Sequence, residues 1–368
     1  MTRPPANVTL ARPVISEPGI EAACTALRSG WLGYGPRCME LEQAFCHRRG
    51  GWAVATQSCT AALWAVAMVT RSGTRPEVII PANTYVACAA AFQVAGWNIR
   101  LCDVDPDTGL LALEDVHRHV SPDTHALLVV DTYGQRFPEH EARRVCSEHG
   151  LWLIRDAAHR LDLDDEDTPL SDFVCYSFGP TKEVASPDGG LVWSSATALE
   201  EKVRAFTYWG ISHDTWQRAA SRMHASVAVS GNLGLKLRMT DVNAAIVLAQ
   251  LADWPKQRQA RRALMDEYRR VLRGTCARML ERGPGDSCLM APLLVDPATR
   301  PAIRMRLAEL GISTSDHYPS LASLLDGPHA ECPNADTFCS SVVAMPMHTR
   351  ITRDDIARAA IAFQETGS

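Results

Sequence analysis

Between residues 52 and 194 the chain repeats one alternation. A short apolar run is followed by a polar turn, and then often by a longer apolar stretch with helical spacing. "WAVATQSCTAALWAVAMV" (52–69) reads as strand, turn and helix, and "EVIIPANTYVACAAAFQVAGW" (77–97) repeats the plan around Pro81, Ala82 and Asn83. "IRLCDVD" (99–105), "HALLVVDTYG" (125–134), "GLWLIRDAAH" (150–159), "FVCYSF" (173–178) and "GGLVWS" (189–194) predict further strands. Continuous apolar strands are those covered on both faces, and strands that alternate with helices build a mostly parallel sheet. Upstream, "SEPGIEAACTALRSG" (16–30) predicts a helix with Ser16 as N-cap, Pro18 in the first turn and Gly30 at the stop. After about residue 240 the pattern changes. "WPKQRQARRALMDEYRRVL" (254–272) predicts a long amphipathic helix with Ala260, Leu264, Tyr268 and Leu272 on one face. The expected fold is α/β, with a large domain over 1–250 built on a mostly parallel central sheet flanked by helices. A smaller C-terminal α+β domain is expected over 251–368.

Composition narrows the function. The net charge of −5 argues against a general nucleic-acid binder. No apolar run approaches the ~18 residues of a membrane span, and the N-terminal stretch lacks the apolar core of a signal peptide. The 12 cysteines are scattered without a C-x-x-C pair, and Cys88, Cys102 and Cys175 sit inside apolar runs. Buried free thiols in a cytoplasmic protein are expected. The histidines show no ligand spacing, so no metal site is expected. Of 37 basic residues only Lys182, Lys202, Lys236 and Lys256 are lysine. Arginine can replace lysine as a surface charge but cannot form an imine, because its guanidinium stays protonated. That draws notice to Lys182, alone in the turn-rich loop of "YSFGPTKEVASPDGGLVW" (176–193).

In parallel sheets, ligands bind beyond the carboxyl ends of the strands. Ser58 and Thr60 follow "WAVAT" and open a helix, where backbone N–H groups and hydroxyls make a phosphate site; a plain N-cap accounts for Ser58 equally. Asn83, Thr84 and Tyr85 follow "VIIP". Asp156 and His159 follow "LWLIR", and a carboxylate ending a buried strand needs a cationic partner. Ser177 and Lys182 follow "FVCY". Taken singly, Lys182 reads as a loop charge and His159 as a packed core histidine. Together, a phosphate cradle, an aromatic ring (Tyr85), a carboxylate and a lysine are the parts that hold pyridoxal 5′-phosphate.

Ten stretches in order carry a resemblance that runs nearly end to end: "SGWLGYGPRCMELEQAF", "QSCTAAL", "VIIPANTYVACAAAFQVAG", "DVDPDTGLL", "TYGQ", "HGLWLIRDAAH", "YSFGPTK", "DGGLVW", "LRMTDVNAAIVLAQL" and "DHYPSL". The sequence resembles the DegT/DnrJ/EryC1/StrS family, sugar aminotransferases of the pyridoxal-phosphate fold type I. The resemblance implies that Lys182 is the Schiff-base lysine and proton shuttle, that Asp156 pairs with the pyridine nitrogen, and that His159 stands beside the ring hydroxyl. It implies phosphate contacts from Ser58, Cys59, Thr60, Ala61 and Ser177, a ring contact from Tyr85, and substrate contacts from His317 and Tyr318. It also implies a homodimer with shared sites, in which Lys236 of "GLKLRMT" reaches the neighbour's phosphate. The expected reaction moves an amino group from glutamate or glutamine to a keto-sugar, nucleotide-linked or free, or to a keto-cyclitol, in amino-sugar or antibiotic biosynthesis. The alternative is a non-catalytic regulatory or scaffold protein that keeps the fold.

Three departures from the family pattern stand out. Cys59 replaces a glycine at the phosphate turn, and Lys236 replaces an asparagine. The segment "RLDLDDEDTPLSD" (160–172) is strongly acidic where the family has a glycine-rich connection. That segment reads either as a solvated loop or as a charge that repels nucleotide-linked acceptors and favours neutral or amine-bearing ones.

Overall fold

The computed structural model describes residues 7–163, 168–211, 215–220, 233–325 and 331–364. The predicted strands form one sheet: β1 (Trp52–Thr56), β2 (Glu77–Pro81), β3 (Asn98–Cys102), β4 (Thr124–Val130), β5 (Trp152–Ala157), β6 (Phe173–Ser177) and β7 (Gly190–Ser194). Their order is β1-β7-β6-β5-β4-β2-β3. β7 runs antiparallel to both its neighbours, and the other adjacent pairs are parallel. The carboxyl ends of β2, β4, β5 and β6 therefore lie along one edge. β4 stops short of the predicted Gly134 because Tyr133 takes a left-handed φ of 58°, which ends the extended run.

Both faces of the sheet are covered, as the apolar runs require. Val54, Val78, Ile80, Leu128, Ile154 and Val192 pack under the helices Cys59–Thr70 and Val86–Val94. Those helices are rich in small buried residues (Ala62, Ala65, Ala89), which lets them seat close to the strands. On the other face Ala53, Ala55, Val174 and Trp193 meet the helix Pro36–Arg49, and Leu127, Val129 and Leu153 meet Glu139–His149. A second core surrounds the antiparallel sheet of β8 (Arg278–Met279), β9 (Ala291–Leu294) and β10 (Val342–Met345). Ile303, Leu307, Val343, Ile356 and Phe363 fill it. Val8, near the chain's start, is buried there and bridges to Ile312.

The long helix departs from its predicted start. It runs from Asp241 to Val271, N-capped by Thr240, whose Oγ1 accepts the Asn243 N–H at 3.3 Å. Pro255 stands inside it. Proline costs an interior hydrogen bond, about 3 kcal/mol. Burial on both sides of Pro255 outweighs that cost: Ala244, Val247 and Trp254 pack in the large-sheet core, Met265 and Tyr268 in the small one. The helix is continuous through residues 250 and 251 and so belongs to both cores. Ala260 is exposed, and Arg261 takes the buried place predicted for it. Ser16 does sit at an N-cap position, but its side chain makes no capping bond. Among the described residues, no helix is long and apolar enough to cross a membrane. All 12 cysteines are free thiols and nine are buried, as expected of thiols placed inside apolar runs.

Candidate active site

A cavity of about 420 Å³ opens at the carboxyl ends of β2, β4, β5 and β6. Lys182, Asp156, His159, Ser58, Thr60, Ser177, Tyr85 and Tyr318 all line it. Eight residues from five separate stretches of sequence thus share one wall, and each arrives there for a local reason.

Asp156 is on β5 and is 5% exposed. Its Oδ1 accepts the Ala158 N–H at 2.8 Å, and its Oδ2 lies 3.0 Å from Cys88 Sγ. Lys182 follows β6 in a turn closed by its own N–H to the Gly179 carbonyl, 3.0 Å. Burial lowers the Lys182 pKa, with the Asp156 charge opposing. Its amine is thus more readily neutral, and more nucleophilic, than a surface lysine. The next residue, Glu183, is buried and accepts the Ser287 hydroxyl and the Cys288 N–H (3.1 Å to the latter). The lysine turn is thereby clasped to the segment that leads into β9.

His159 is buried behind Asp156. Its Nδ1 accepts the Tyr133 N–H at 3.2 Å, so the proton is assigned to Nε2, which donates to Tyr318 Oη at 2.8 Å. Burial, and then the Lys182 charge, hold its pKa well below 6.5. The ring is therefore a neutral donor at physiological pH. Tyr133 keeps its left-handed backbone here, and its hydroxyl donates to the His317 carbonyl.

The helix Cys59–Thr70 points its N-terminus at the cavity. Ser58 is the N-cap, its Oγ accepting the Ala61 N–H at 3.1 Å. This corrects the expectation for Ala61, which does not line the cavity and whose N–H is already occupied. The hydroxyls of Thr60 and Ser177 remain on the cavity wall. Gly190 makes this possible, because a Cβ on it would lie 2.3 Å from the Ser58 carbonyl carbon and 2.5 Å from Cys59 N. The helix start rests directly on β7, and only glycine fits beneath it.

Cys59 lines the cavity between Ser58 and Thr60, and its thiol lies 3.6 Å from both Asp156 Oδ1 and the Cys175 carbonyl. Tyr85 stands at the rim, 54% exposed, its ring centroid 5.1 Å from that of Tyr318. His317 lies one layer back from the cavity, its ring centroid 6.3 Å from that of His159. Asn83 is fully buried and donates to the Gly109 carbonyl at 3.0 Å, a structural bond. Lys236 is exposed, with Nζ 5.8 Å from the Trp209 ring centre, and does not line this cavity. Sequence reasoning missed Thr132 and Asp188 on the wall. Asp188 had a signal, its place before the two glycines of "DGG".

The acidic segment is also corrected. Asp162 is 2% exposed and ion-pairs with Arg49 (2.7 Å), Arg160 (3.2 Å) and Arg155, while Tyr176 Oη donates to it at 2.8 Å. Asp172 accepts the Leu153 N–H and pairs with Arg143, each at 2.8 Å. Both are committed to structure and cannot act as a screen at the site mouth. Asp164, Asp165, Glu166 and Asp167 lie outside the described residues.

The chemistry of this donor set fits pyridoxal 5′-phosphate. A helix N-terminus with two hydroxyls suits a phosphate dianion. The buried carboxylate suits a ring nitrogen that carries a proton. The buried lysine suits a carbonyl. A sequence profile of the DegT/DnrJ/EryC1/StrS aminotransferase family matches residues 13–364. The chain is 27% identical to a dTDP-4-dehydro-2,3,6-trideoxy-D-glucose 4-aminotransferase of Saccharopolyspora spinosa, over 97% of this chain and 96% of that one. Among solved structures it is similar to DesI in the presence of its TDP-sugar product, with 27% identity, a TM-score of 0.84 and coverage of 97% and 93%. It shares its fold with a protein of Streptococcus pneumoniae assigned as a sugar aminotransferase and solved in its PMP form. There the TM-score is 0.89 at 22% identity, covering 98% and 99%. The chain belongs to the DegT/DnrJ/EryC1/StrS aminotransferase family.

Proposed function

We propose that this aminotransferase uses pyridoxal 5′-phosphate to move an amino group from glutamate or glutamine to a keto-sugar carried on a nucleotide, in amino-sugar biosynthesis. The observation that carries the reading is the convergence of Lys182, Asp156, His159, Thr60 and Ser177 on one cavity. When bound, pyridoxal phosphate supplies a carbonyl that takes up the amino group and a ring that withdraws electrons from the reacting carbon. The helix N-terminus at Ser58–Thr60, with the Ser177 hydroxyl, holds the phosphate. Asp156 keeps a proton on the ring nitrogen. His159, its Nε2–H held by Tyr318 Oη, would stand beside the ring hydroxyl, and Tyr85 and Tyr318 would border the ring. Lys182, its basicity reduced by burial, takes a proton from the donor's carbon and returns one to the acceptor's.

The intact constellation and the family membership set aside the scaffold reading. The acceptor is argued from two observations. The relative in Saccharopolyspora spinosa is named for a dTDP-linked 4-keto sugar, and DesI was solved with a TDP-sugar product. The charge argument for an unlinked acceptor loses Asp162, which is buried among arginines, and Asp172, which is paired with Arg143. Residues 1–250 supply the cofactor site except for Tyr318, which comes from the smaller lobe over 251–368. The exposure of Lys236, away from its own chain's cavity, supports the reading that it serves a second copy, and a dimeric mass by light scattering checks this. The test of the acceptor is kcat/KM for a dTDP-linked 4-keto sugar against free keto-sugars and keto-cyclitols, with glutamate as donor. Preference for the linked sugar by tenfold or more is expected. Equal or better use of an unlinked ring contradicts the reading.

A further inference from the structure

Two buried cysteines, Cys88 and Cys59, meet the carboxylate of Asp156, and the mechanism gives neither thiol a task. Cys88, in the helix Val86–Val94, sets its Sγ 3.0 Å from Oδ2, and Thr84 Oγ1 lies 3.2 Å from that sulfur. Cys59 Sγ is 3.6 Å from Oδ1 and 3.6 Å from the carbonyl of Cys175.

Both thiols are protonated. Burial raises each well above the ordinary thiol range, and the negative charge of Asp156 raises it further. A protonated thiol beside a carboxylate is a donor. The arrangement is therefore a directed chain, in which Thr84 O–H donates to Cys88 Sγ and Cys88 S–H donates to Asp156 Oδ2. At the other oxygen the Ala158 N–H donates at 2.8 Å, and Cys59 divides its hydrogen between Asp156 and Cys175. Asp156 thus receives donors at both oxygens from within the fold.

These donors bear on where a shared proton resides. Between a carboxylate and a pyridine nitrogen, the proton can sit on nitrogen or on oxygen. Hydrogen bonds to the charged carboxylate favour that charged form, and so leave the proton on nitrogen. That is the form in which the ring draws electrons. Donor chains polarise one another, so Thr84 strengthens the bond from Cys88.

We propose that Cys88, backed by Thr84 and joined by Cys59, is a positioning residue that holds Asp156 in the carboxylate form and so keeps the proton on the cofactor's ring nitrogen. This rests on the assignment of Asp156 to that nitrogen.

The test is ¹⁵N NMR of the protein loaded with ring-¹⁵N pyridoxal phosphate. The parent is expected to show a protonated nitrogen. Cys88→Ala should move the resonance towards the unprotonated position, changing the ratio of the two forms roughly three- to tenfold, the worth of one modest hydrogen bond. Cys88→Ser should restore it, since a hydroxyl also donates. Cys59→Ala should give a smaller shift in the same direction, in keeping with its longer contact. Infrared spectroscopy of the S–H stretch in the cofactor-free protein supplies a second reading that does not depend on loading. There Asp156→Asn should raise the stretching frequency, because an amide oxygen is a weaker acceptor, and this reading decides the matter if Cys88→Ala does not fold. A protonated nitrogen that no cysteine variant moves, or an S–H band indifferent to Asp156→Asn, overturns the thiol proposal and leaves the role of Asp156 standing. An unprotonated nitrogen in the parent removes the assignment of Asp156 and this proposal with it.

Discussion

Replacing Asp162 by asparagine changes no shape and removes one charge from a place where three guanidiniums meet. In the native protein Arg49, Arg155 and Arg160 face Asp131, Glu139 and Asp162, three charges against three. Arg49, Arg155, Arg160, Asp131 and Asp162 are each no more than 7% exposed. Asp162 touches all three arginines, and their charges hold its carboxyl far below the usual range against the opposing effect of burial. The substitution leaves three cations with two acids in a site water does not reach. Removing one partner of a buried ion pair costs about 3–5 kcal/mol, because the remaining charge is left uncompensated. For 368 residues at roughly 2 cal/mol/K per residue, the entropy of unfolding is about 0.8 kcal/mol/K, so the thermal midpoint should fall by about 4–6 °C. Differential scanning calorimetry of parent and Asp162→Asn, at low and high salt, measures this. The loss should persist at 0.5 M salt, since buried charges are little screened. The loaded enzyme's discrimination between nucleotide-linked and free acceptors should not change. A midpoint within about 1 °C of the parent, together with a salt-sensitive change in acceptor preference, would refute the reasoning and return Asp162 to the site mouth.

Further outcomes follow from the same contacts. Gly190→Ala would place a methyl about 1 Å too close to the backbone of Ser58 and Cys59; cofactor retention on dialysis should fall at least tenfold, with about 1–3 kcal/mol of stability lost, and full retention would contradict the close seating. His317 is held at a pKa of about 4 by burial and then by the charge of Lys182, while an unfolded histidine protonates near 6.5. Between those values the unfolded chain binds more protons, so stability declines as pH falls from about 6.5 towards 4. The contribution is on the order of 2 kcal/mol after allowance for partial exposure. His317→Gln should flatten that slope in a thermal-midpoint series from pH 7.5 to 5, and identical slopes would contradict the assignment.

The sheet was legible because its strands are apolar on both faces, a pattern that leaves few other arrangements for runs such as "VII" and "LWLI". The site was legible for a related reason: polar groups placed just past buried strands must converge at one edge. What could not be read was side-chain direction. Nothing in "QSCTAAL" says that the Cys59 thiol turns inward to Asp156 while Thr60 faces the cavity, because both follow from the helix start resting on Gly190. The acidic segment misled because charge runs are mostly solvated, and two of the arginines that pair with Asp162 come from elsewhere, Arg49 from the helix Pro36–Arg49 and Arg155 from β5, beside Arg160 of the segment itself. The start of the long helix was hidden by Pro255, where packing against two cores outweighs a local rule.

The most direct test of the central claim, that Lys182 is the amine that holds pyridoxal phosphate, is borohydride reduction of the loaded protein followed by peptide mass mapping. Reduction should fix the cofactor irreversibly to the peptide containing Lys182, and Lys182→Arg should fold yet take up no label, because a guanidinium cannot form the bond. Recovery of the label on Lys202, Lys236 or Lys256, or undiminished labelling of Lys182→Arg, would contradict the account.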